Sequence, residues 1–293
     1  MISIAIHGGA GVINRASMSA ENERAYRADL ERALDAGYGV LERGGTSLDA
    51  VVAAVKILED SPLFNAGKGA VFTHDGINEL DAAIMNGRTR TAGSVAGVRT
   101  IKNPILLARA VMEKSRHVMM VGSGAEEFAG TVGIERVDPA YFRTEERWQD
   151  LQNKLKEDKF GTVGIVALDQ HGAIAAGTST GGLTNKRYGR VGDSPIIGAG
   201  TYADANCGVS ATGHGEVFIR YTVAREVCAR VEYAGARIGD AAQQIIDELA
   251  RVDGDGGVIA LDREGHYALP FNTPGMYRGY IGEDGVPHIA IYK

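Results

Sequence analysis

The apolar positions of this chain recur in two patterns, short unbroken runs and runs at helical spacing. Residues 2–6 form a short apolar run that predicts a buried strand. It ends in His7-Gly8-Gly9-Ala10-Gly11, where glycine opens backbone conformations closed to other residues. Over residues 20–43, Ala25, Leu30, Ala33, Leu34 and Tyr38 return close to helical spacing, and Gly44-Gly45 stops the helix. Thr46 or Ser47 caps a second helix, whose Ala50, Val51, Ala54, Val55 and Leu58 share one face until Pro62. Residues 80–98 read as two strands about the hairpin signal Asn86-Gly87. A helix over 103–115 opens on Pro104, and a strand over 118–121 leads into a short helix that Ser123 caps and Gly130 ends. The most charged stretch, 144–160, predicts an exposed helix or a poorly ordered surface segment.

The character changes at Gly161. Two runs rich in β-branched residues flank Gln170-His171-Gly172 and read as a hairpin. After a glycine-rich loop come strands near 196–201 and 208–211, helices near 216–233 and 239–251, and strands around 258–261, 267–269 and 288–292. Strands and helices in such blocks suggest layered sheets flanked by helices, an α+β arrangement rather than strict βαβ alternation.

Length and composition narrow this further. A chain of 293 residues without a Pro/Ser-rich or charged linker, apolar from end to end, reads as one large domain. Its net charge of -6 gives no electrostatic reason to expect nucleic acid or an anionic membrane as partner, so a small soluble substrate is the default. Cys207 and Cys228 match no metal-ligand spacing, and a disulfide or zinc site is not expected of them; they fit a reducing compartment. Without a basic, apolar leader or a run of about 20 apolar residues, the sequence reads as cytoplasmic. The 40 glycines cluster without a period, which speaks for tight turns and close backbone approaches rather than a repeat.

The junction Phe160-Gly161-Thr162-Val163-Gly164 sets a charged surface segment against the first residue of an apolar strand. If the Gly161/Thr162 bond is cut, Thr162 gains a free α-amino group beside its hydroxyl, so nucleophile and base sit on one residue. An α-amine of unperturbed pKa about 7.7 to 8.0 is suited to accept the hydroxyl proton near neutral pH. Alone, G-T-V-G is more often the ordinary start of a strand.

Its company is more specific. T-S-T-G-G at 178–182, G-R-V-G-D-S-P at 189–195 and A-T-G-H-G-E at 211–216 resemble the plant-type asparaginase/isoaspartyl aminopeptidase family, whose members are N-terminal-nucleophile (Ntn) hydrolases. HGGAG at 7–11, PLFNAGKGAVF at 62–72, ELDAAIM at 79–85, AGSVAGV at 92–98, NPILLAR at 103–109, HVMMVG at 117–122 and LPFNTPGMYR at 269–278 extend the resemblance over nearly the whole chain. The resemblance implies an αββα four-layer sandwich, cleaved between Gly161 and Thr162 into subunits 1–161 and 162–293 that together form one domain. It implies a homodimer of such units, (αβ)2, hydrolysing L-asparagine and β-aspartyl dipeptides through an acyl-enzyme on Thr162, with no cofactor for catalysis.

The same resemblance assigns roles. Thr180 holds a hydroxyl near Thr162, although Thr178 and Thr180 are also alternate residues filling one strand face. Arg190 takes the substrate α-carboxylate and Asp193 the α-ammonium; on R-V-G-D alone, a structural ion pair between the two is the blander account. Thr212 and Gly213 form the oxyanion hole, where T-G-H-G by itself is only a turn. His214 lines the pocket rather than acting as base, and Asn65 steadies the nucleophile. The main-chain carbonyls of Leu58, Glu59, Ser61, Phe64, Ala66 and Lys68 match a structural sodium loop, against the plain alternative of a helix C-terminus with free carbonyls.

Four other readings compete. A glycosylasparaginase tends to carry Asn where this chain has Gly181, and a threonine endopeptidase of the taspase kind has a longer insertion before the nucleophile. A silent scaffold of the same fold would not need every hydroxyl, Arg and Asp just named. A phosphate-binding enzyme lacks its loop here, since neither G-x-x-x-x-G-K-[ST] nor G-x-G-x-x-G between strand and helix occurs.

Overall fold

The computed structural model describes residues 1–153 and 161–293. In chain order the strands are β1 (Ser3–Gly11), β2 (Leu80–Asn86), β3 (Ala92–Val98), β4 (Met119–Val121), β5 (Val163–Leu168), β6 (Ile174–Thr180), β7 (Thr201–Ala203), β8 (Cys207–Gly213), β9 (Gly256–Asp262), β10 (Tyr267–Ala268), β11 (Gly275–Ile281) and β12 (His288–Tyr292). The α-helices are α1 (Ala20–Glu42), α2 (Ser47–Asp60), α3 (Pro104–Lys114), α4 (Gly122–Val132), α5 (Glu145–Asn153), α6 (Gly215–Tyr221), α7 (Val223–Ala234) and α8 (Ile238–Leu249).

Eight strands form one sheet in the order β12-β11-β1-β5-β6-β2-β3-β4, and four form a second, β10-β9-β8-β7. Alternation along the central strands explains the stacking. Ile4, Ile6, Val163, Ile165 and Ala167 turn toward α1, α2 and α3, while Ala5, Val166 and Leu168 turn toward the second sheet, which α7 and α8 cover from outside. A strand buried on both faces reads as continuously apolar, which is why residues 163–168 show no polar alternation. The result is the four-layer αββα sandwich, and Thr162 lies at its centre because β5 is a middle strand of the larger sheet.

Several expected elements are corrected. β11 is not expected from the sequence, yet it pairs with β1 one strand in from the sheet edge; its terminal and interior glycines, Gly275 and Gly279, mask the strand pattern. The stretch expected as one helix over 216–233 breaks at Thr222, which takes a left-handed conformation (φ 46°) between α6 and α7. Residues 196–200 are loop, and the strand begins only at Thr201. Val121 rather than Ser123 precedes α4, which runs past Gly130 to a left-handed Gly133. The expected charged helix is present as α5, and residues 154–160 of that stretch lie outside the described residues.

Cys207 and Cys228 are joined by a disulfide, against the expectation of unbonded thiols. They are 21 residues apart in sequence, but α7 packs directly back on β8 and brings their Cα atoms to 5.8 Å. Both are fully buried. No helix among the described residues is long and apolar enough to cross a membrane.

Candidate active site

Strand pairing assembles the site. β5 and β6 run antiparallel with Val163 opposite Ser179, so Thr162, one step before β5, meets Thr180 at the end of β6. The Thr162 hydroxyl lies 3.1 Å from Thr180 Oγ1 and 2.7 Å from the carbonyl oxygen of Gly161. Two further donors reach that carbonyl oxygen, Asn65 Nδ2 at 2.8 Å and Thr180 Oγ1 at 3.0 Å. The Val71 amide donates to Asn65 Oδ1 at 2.9 Å, which fixes the side-chain amide so that its NH2 faces the Gly161 carbonyl. Asn65 therefore sits on the bond expected to be cut.

β1 passes beside the same bond. Its pairing with β11 is interrupted between His7 and Gly9, and a bulge there re-aims the chain. Gly9 has φ +109°, and a Cβ on it would stand 3.2 Å from both Gly161 Cα and Thr162 N, so only glycine lets the strand approach this closely.

Behind Thr162 runs a buried polar chain that the sequence reading missed. His7 Nδ1 lies 3.1 Å from the Thr162 carbonyl oxygen and Nε2 2.9 Å from Ser210 Oγ; Ser210 Oγ is 2.7 Å from Thr178 Oγ1, which is 2.6 Å from Thr201 Oγ1. Burial pushes the His7 imidazole down to about 3, so it is neutral. A carbonyl only accepts, so Nδ1 carries the single proton and Nε2 accepts from Ser210, which in turn accepts from Thr178. Gly164 makes room for the chain, since a Cβ there would meet Ser210 Oγ and His7 Nε2. Nothing in the spacing of His7, Thr178, Thr201 and Ser210 announces the network; it exists only once β1, β6, β7 and β8 are stacked.

Several of the other expected residues converge on Thr162. A small pocket is lined by Gly161, Thr162, Thr180, Arg190, Asp193 and Gly213, among others. Thr212 is fully buried beside it, its Oγ1 accepting from the Ala10 amide at 3.3 Å and so keeping its own proton to donate. The ion pair between Arg190 and Asp193 is not formed. Arg190 Nε and Nη2 instead clasp the two carboxylate oxygens of Glu216, each at 2.9 Å, leaving Nη1 on the free edge of the guanidinium. Glu216 ends the A-T-G-H-G-E motif, which gives it no role from sequence; its place in the first turn of α6 points it back at Arg190. His214 points elsewhere, its Nδ1 3.3 Å from the Asp253 carbonyl oxygen and its Nε2 3.6 Å from Glu216.

Asp193 is buried, and its Oδ2 has no hydrogen-bond partner. Burial pushes its carboxyl up to about 7, while a backbone hydrogen bond and the Arg190 charge pull the other way. A carboxyl whose folded pKa is raised stabilises the fold below its unfolded value of 3.8 and loses that contribution as pH rises through about 7. Asp193→Asn does not ionise. Its melting temperature should therefore exceed that of the wild type at pH 8 by several degrees, from roughly 1 to 3 kcal/mol, with a smaller gain at pH 5. Equal gains at both pH values in a thermal melt would contradict a buried, pH-dependent cost.

The carbonyls expected to hold sodium gather at the last turn of α2 and in the loop that follows it. A Cβ on Gly67 would stand 2.2 Å from the Glu59 carbonyl oxygen, and one on Gly69 2.2 Å from that of Phe64, so the loop folds main-chain oxygens inward. An all-oxygen, main-chain set of this kind suits a hard cation. Leu58, Phe64 and Ala66 also accept backbone N–H bonds, each keeping a second lone pair. The Glu59 side chain does more than expected. It is fully buried, pushed up to about 8 by that burial, and accepts from Ser179 Oγ at 2.7 Å and the Ile105 amide at 3.0 Å, bracing β6 just before Thr180.

Comparison with known proteins agrees with this geometry. The model of the family described as "Asparaginase" matches residues 1–159 and 152–291. The chain is 50% identical to the isoaspartyl peptidase of Escherichia coli K12, covering 99% of this chain and 96% of that protein. It is 42% identical to the isoaspartyl peptidase/L-asparaginase of Xenopus laevis (99% and 94% covered). With the plant-type L-asparaginase of Pyrococcus abyssi it shares 41% identity, with 97% of each chain covered. Matches of this extent, together with the αββα fold, show that the chain belongs to the asparaginase family, in its isoaspartyl peptidase/plant-type L-asparaginase branch.

Proposed function

We propose that the chain is an autoproteolytic amidohydrolase that hydrolyses the side-chain amide of L-asparagine and the isopeptide bond of β-aspartyl dipeptides. One observation carries this: a threonine hydroxyl set against its own preceding carbonyl, in a pocket that also holds Arg190, the unpartnered Asp193 and Gly213.

In maturation Thr162 Oγ1 attacks the Gly161 carbonyl carbon, while Asn65 Nδ2 and Thr180 Oγ1 stabilise the charge growing on the oxygen they already touch. The proton lost from Oγ1 passes to the Thr162 nitrogen as the C–N bond breaks, and an ester joins Oγ1 to the Gly161 carbonyl carbon. Water hydrolyses it, freeing the Gly161 carboxylate and the Thr162 amine, and clearing Gly161 from the pocket mouth. In turnover that amine takes the Oγ1 proton, and Oγ1 attacks the substrate's β-carbonyl carbon. The oxyanion meets the Thr212 hydroxyl and the Gly213 amide. The resulting ammonium gives its proton to the leaving nitrogen as the C–N bond breaks, and water then releases aspartate from the acyl-enzyme. Arg190 Nη1 takes the α-carboxylate and Asp193 Oδ2 accepts from the α-ammonium.

The experiment uses purified wild-type protein. A denaturing gel should show two pieces, and N-terminal sequencing should read Thr-Val-Gly-Ile on the smaller; light scattering should find a dimer of these units, (αβ)2. Steady-state assays should show ammonia from L-asparagine and free amino acid from a β-aspartyl dipeptide. A chain that stays whole and turns over neither substrate sinks the reading, and a monomer at micromolar concentration removes the dimer from it.

The sodium ion we place within the carbonyls of Leu58, Glu59, Ser61, Phe64, Ala66 and Lys68, where it would rigidify the loop that carries Asn65; no cofactor enters the chemistry. Exchanging sodium for choline should lower the melting temperature by a few degrees, and an unchanged melt in sodium-free buffer would discard the site. A cytoplasmic setting rests on the low cysteine count, and the Cys207–Cys228 bond weighs against it, because disulfides persist in oxidising compartments. Thiol labelling of protein extracted under acid quench would decide between the two.

A further inference from the structure

The turn between β7 and β8 places a carboxylate beside the Cys207–Cys228 bond. Asp204 Oδ1 closes that turn, accepting from the Asn206 amide at 2.9 Å and the Cys207 amide at 3.1 Å. Its Oδ2 is buried and, among the described residues, has no hydrogen-bond partner. A cation stands off from it: Nη2 of the exposed Arg90 is 3.9 Å from Oδ2 and is also held by Glu232 at 3.2 Å. A buried carboxylate oxygen without a donor is costly, so its presence calls for a partner.

Cys207 opens β8, and Cys228 lies in α7, which packs on that strand. The two sulfurs and a carboxylate oxygen of Asp204 all lie within 4.8 Å of one another. All three residues are fully buried. The 21-residue gap between the cysteines matches no zinc-ligand spacing, because α7 supplies one of them from across the layer.

We infer that Cys207, Cys228 and Asp204 form a zinc(II) site when the disulfide is open. Two thiolates and a carboxylate suit zinc, whereas magnesium and calcium take oxygen alone. Tetrahedral zinc with Zn–S of about 2.3 Å holds its ligand atoms about 4 Å apart, so the sulfurs can part within their present surroundings. Water takes the fourth position.

Charge balances in both states. With the bond closed, the Asp204 carboxylate faces Arg90, one negative charge against one positive. With it open and zinc bound, two thiolates and Asp204 bring three negative charges, and zinc with Arg90 brings three positive. A dithiol supplies the two electrons and two protons that open the bond and leaves as its own disulfide. Zinc then displaces both protons from the Cys207 and Cys228 thiols. β8 runs on from this site to Ser210, Thr212 and Gly213, so the ion fastens the root of the strand that carries them.

The test compares the whole protein, produced and purified under a phosphine reductant so that the bond never closes, with the oxidised form, both freed of metal. Zinc(II) titrated against a chromophoric chelator should bind one per chain to the reduced protein, about a hundredfold or more tightly than to the oxidised one. Cobalt(II) in its place should give the near-ultraviolet absorption of thiolate-to-metal charge transfer. Zinc should also raise the melting temperature of the reduced form by several degrees and leave that of the oxidised form unmoved. Asp204→Asn keeps an oxygen for the Asn206 and Cys207 amides, so the fold should stand while zinc affinity drops by about tenfold or more. Cys228→Ser should lose both the tight site and the cobalt absorption. Reduced and oxidised wild type taking zinc alike would overturn the site, as would Asp204→Asn binding zinc as tightly as wild type. A reduced chain without a cooperative melt, with or without zinc, overturns it too. The comparison of the two wild-type forms needs no variant, so it decides the matter even where Cys228→Ser fails to fold.

Discussion

Thr162→Ala should leave the chain whole on a denaturing gel and reduce turnover of L-asparagine and β-aspartyl dipeptides by on the order of 10⁴-fold or more, because one hydroxyl serves both reactions. The geometry makes the loss specific. Gly161 O keeps its two fixed donors, Asn65 and Thr180, but nothing remains to attack the carbonyl carbon they polarise. Thr162→Ser separates hydroxyl from shape. It retains the nucleophile and loses the branched methyl that restricts χ1, so it should cut itself more slowly and retain part of the activity. A folded Thr162→Ala protein that still yields a fragment beginning at Ala-Val-Gly-Ile would show that another group, or another protein, does the cutting. The serine variant guards against a trivial outcome, since a misfolded alanine protein would leave serine cleavage intact.

How far the sequence discloses this site depends on how local each feature is. Thr162, Thr180, Arg190, Asp193, Thr212, Gly213 and Asn65 sit in short motifs that each read as plain strand or turn alone and gain a role only through the family resemblance, and the pocket brings most of them together. The α1 and α2 boundaries are equally local, set by the caps Ser19 and Thr46 and by the glycines and proline that follow. What stayed hidden depends on layers meeting. The His7–Ser210–Thr178 chain crosses from one sheet to the other, and the Cys207–Cys228 bond joins the second sheet to its covering helix. Glu59 shows the same limit within one residue. Its carbonyl was legible as part of a loop motif, while its buried side chain, bonded to Ser179 120 residues on, was not. β11 was hidden for a different reason, glycine at positions where strand propensity is low but neighbouring backbone comes close, as at Gly279 against the His288 carbonyl oxygen.

Arg190→Ala should divide the two activities that Thr162 unites. In turnover the substrate brings an α-carboxylate and an α-ammonium on one carbon, and the pocket answers with Arg190 Nη1 and Asp193 Oδ2. Removing the arginine leaves the carboxylate without its cation and Asp193 without the positive charge that lowers its pKa, so fewer molecules hold the ionised Asp193 near pH 7. Losing one partner of a desolvated pair costs about 2 to 5 kcal/mol, so kcat/KM should fall by about a hundredfold or more. Self-cleavage needs neither charge, because the Gly161/Thr162 peptide carries no free head group and its carbonyl is held by Asn65 and Thr180. Folding should survive as well. The bond that Arg190 makes is with Glu216, whose side chain is half exposed and can return to water, so little stability is at stake. The expected variant is thus fully cut, normally folded and nearly inert toward dipeptides. An Arg190→Ala protein that cuts itself and turns over a β-aspartyl dipeptide with wild-type kcat and KM would make the Arg190–Glu216 pair a structural clasp, and would move the substrate head group to another part of the molecule.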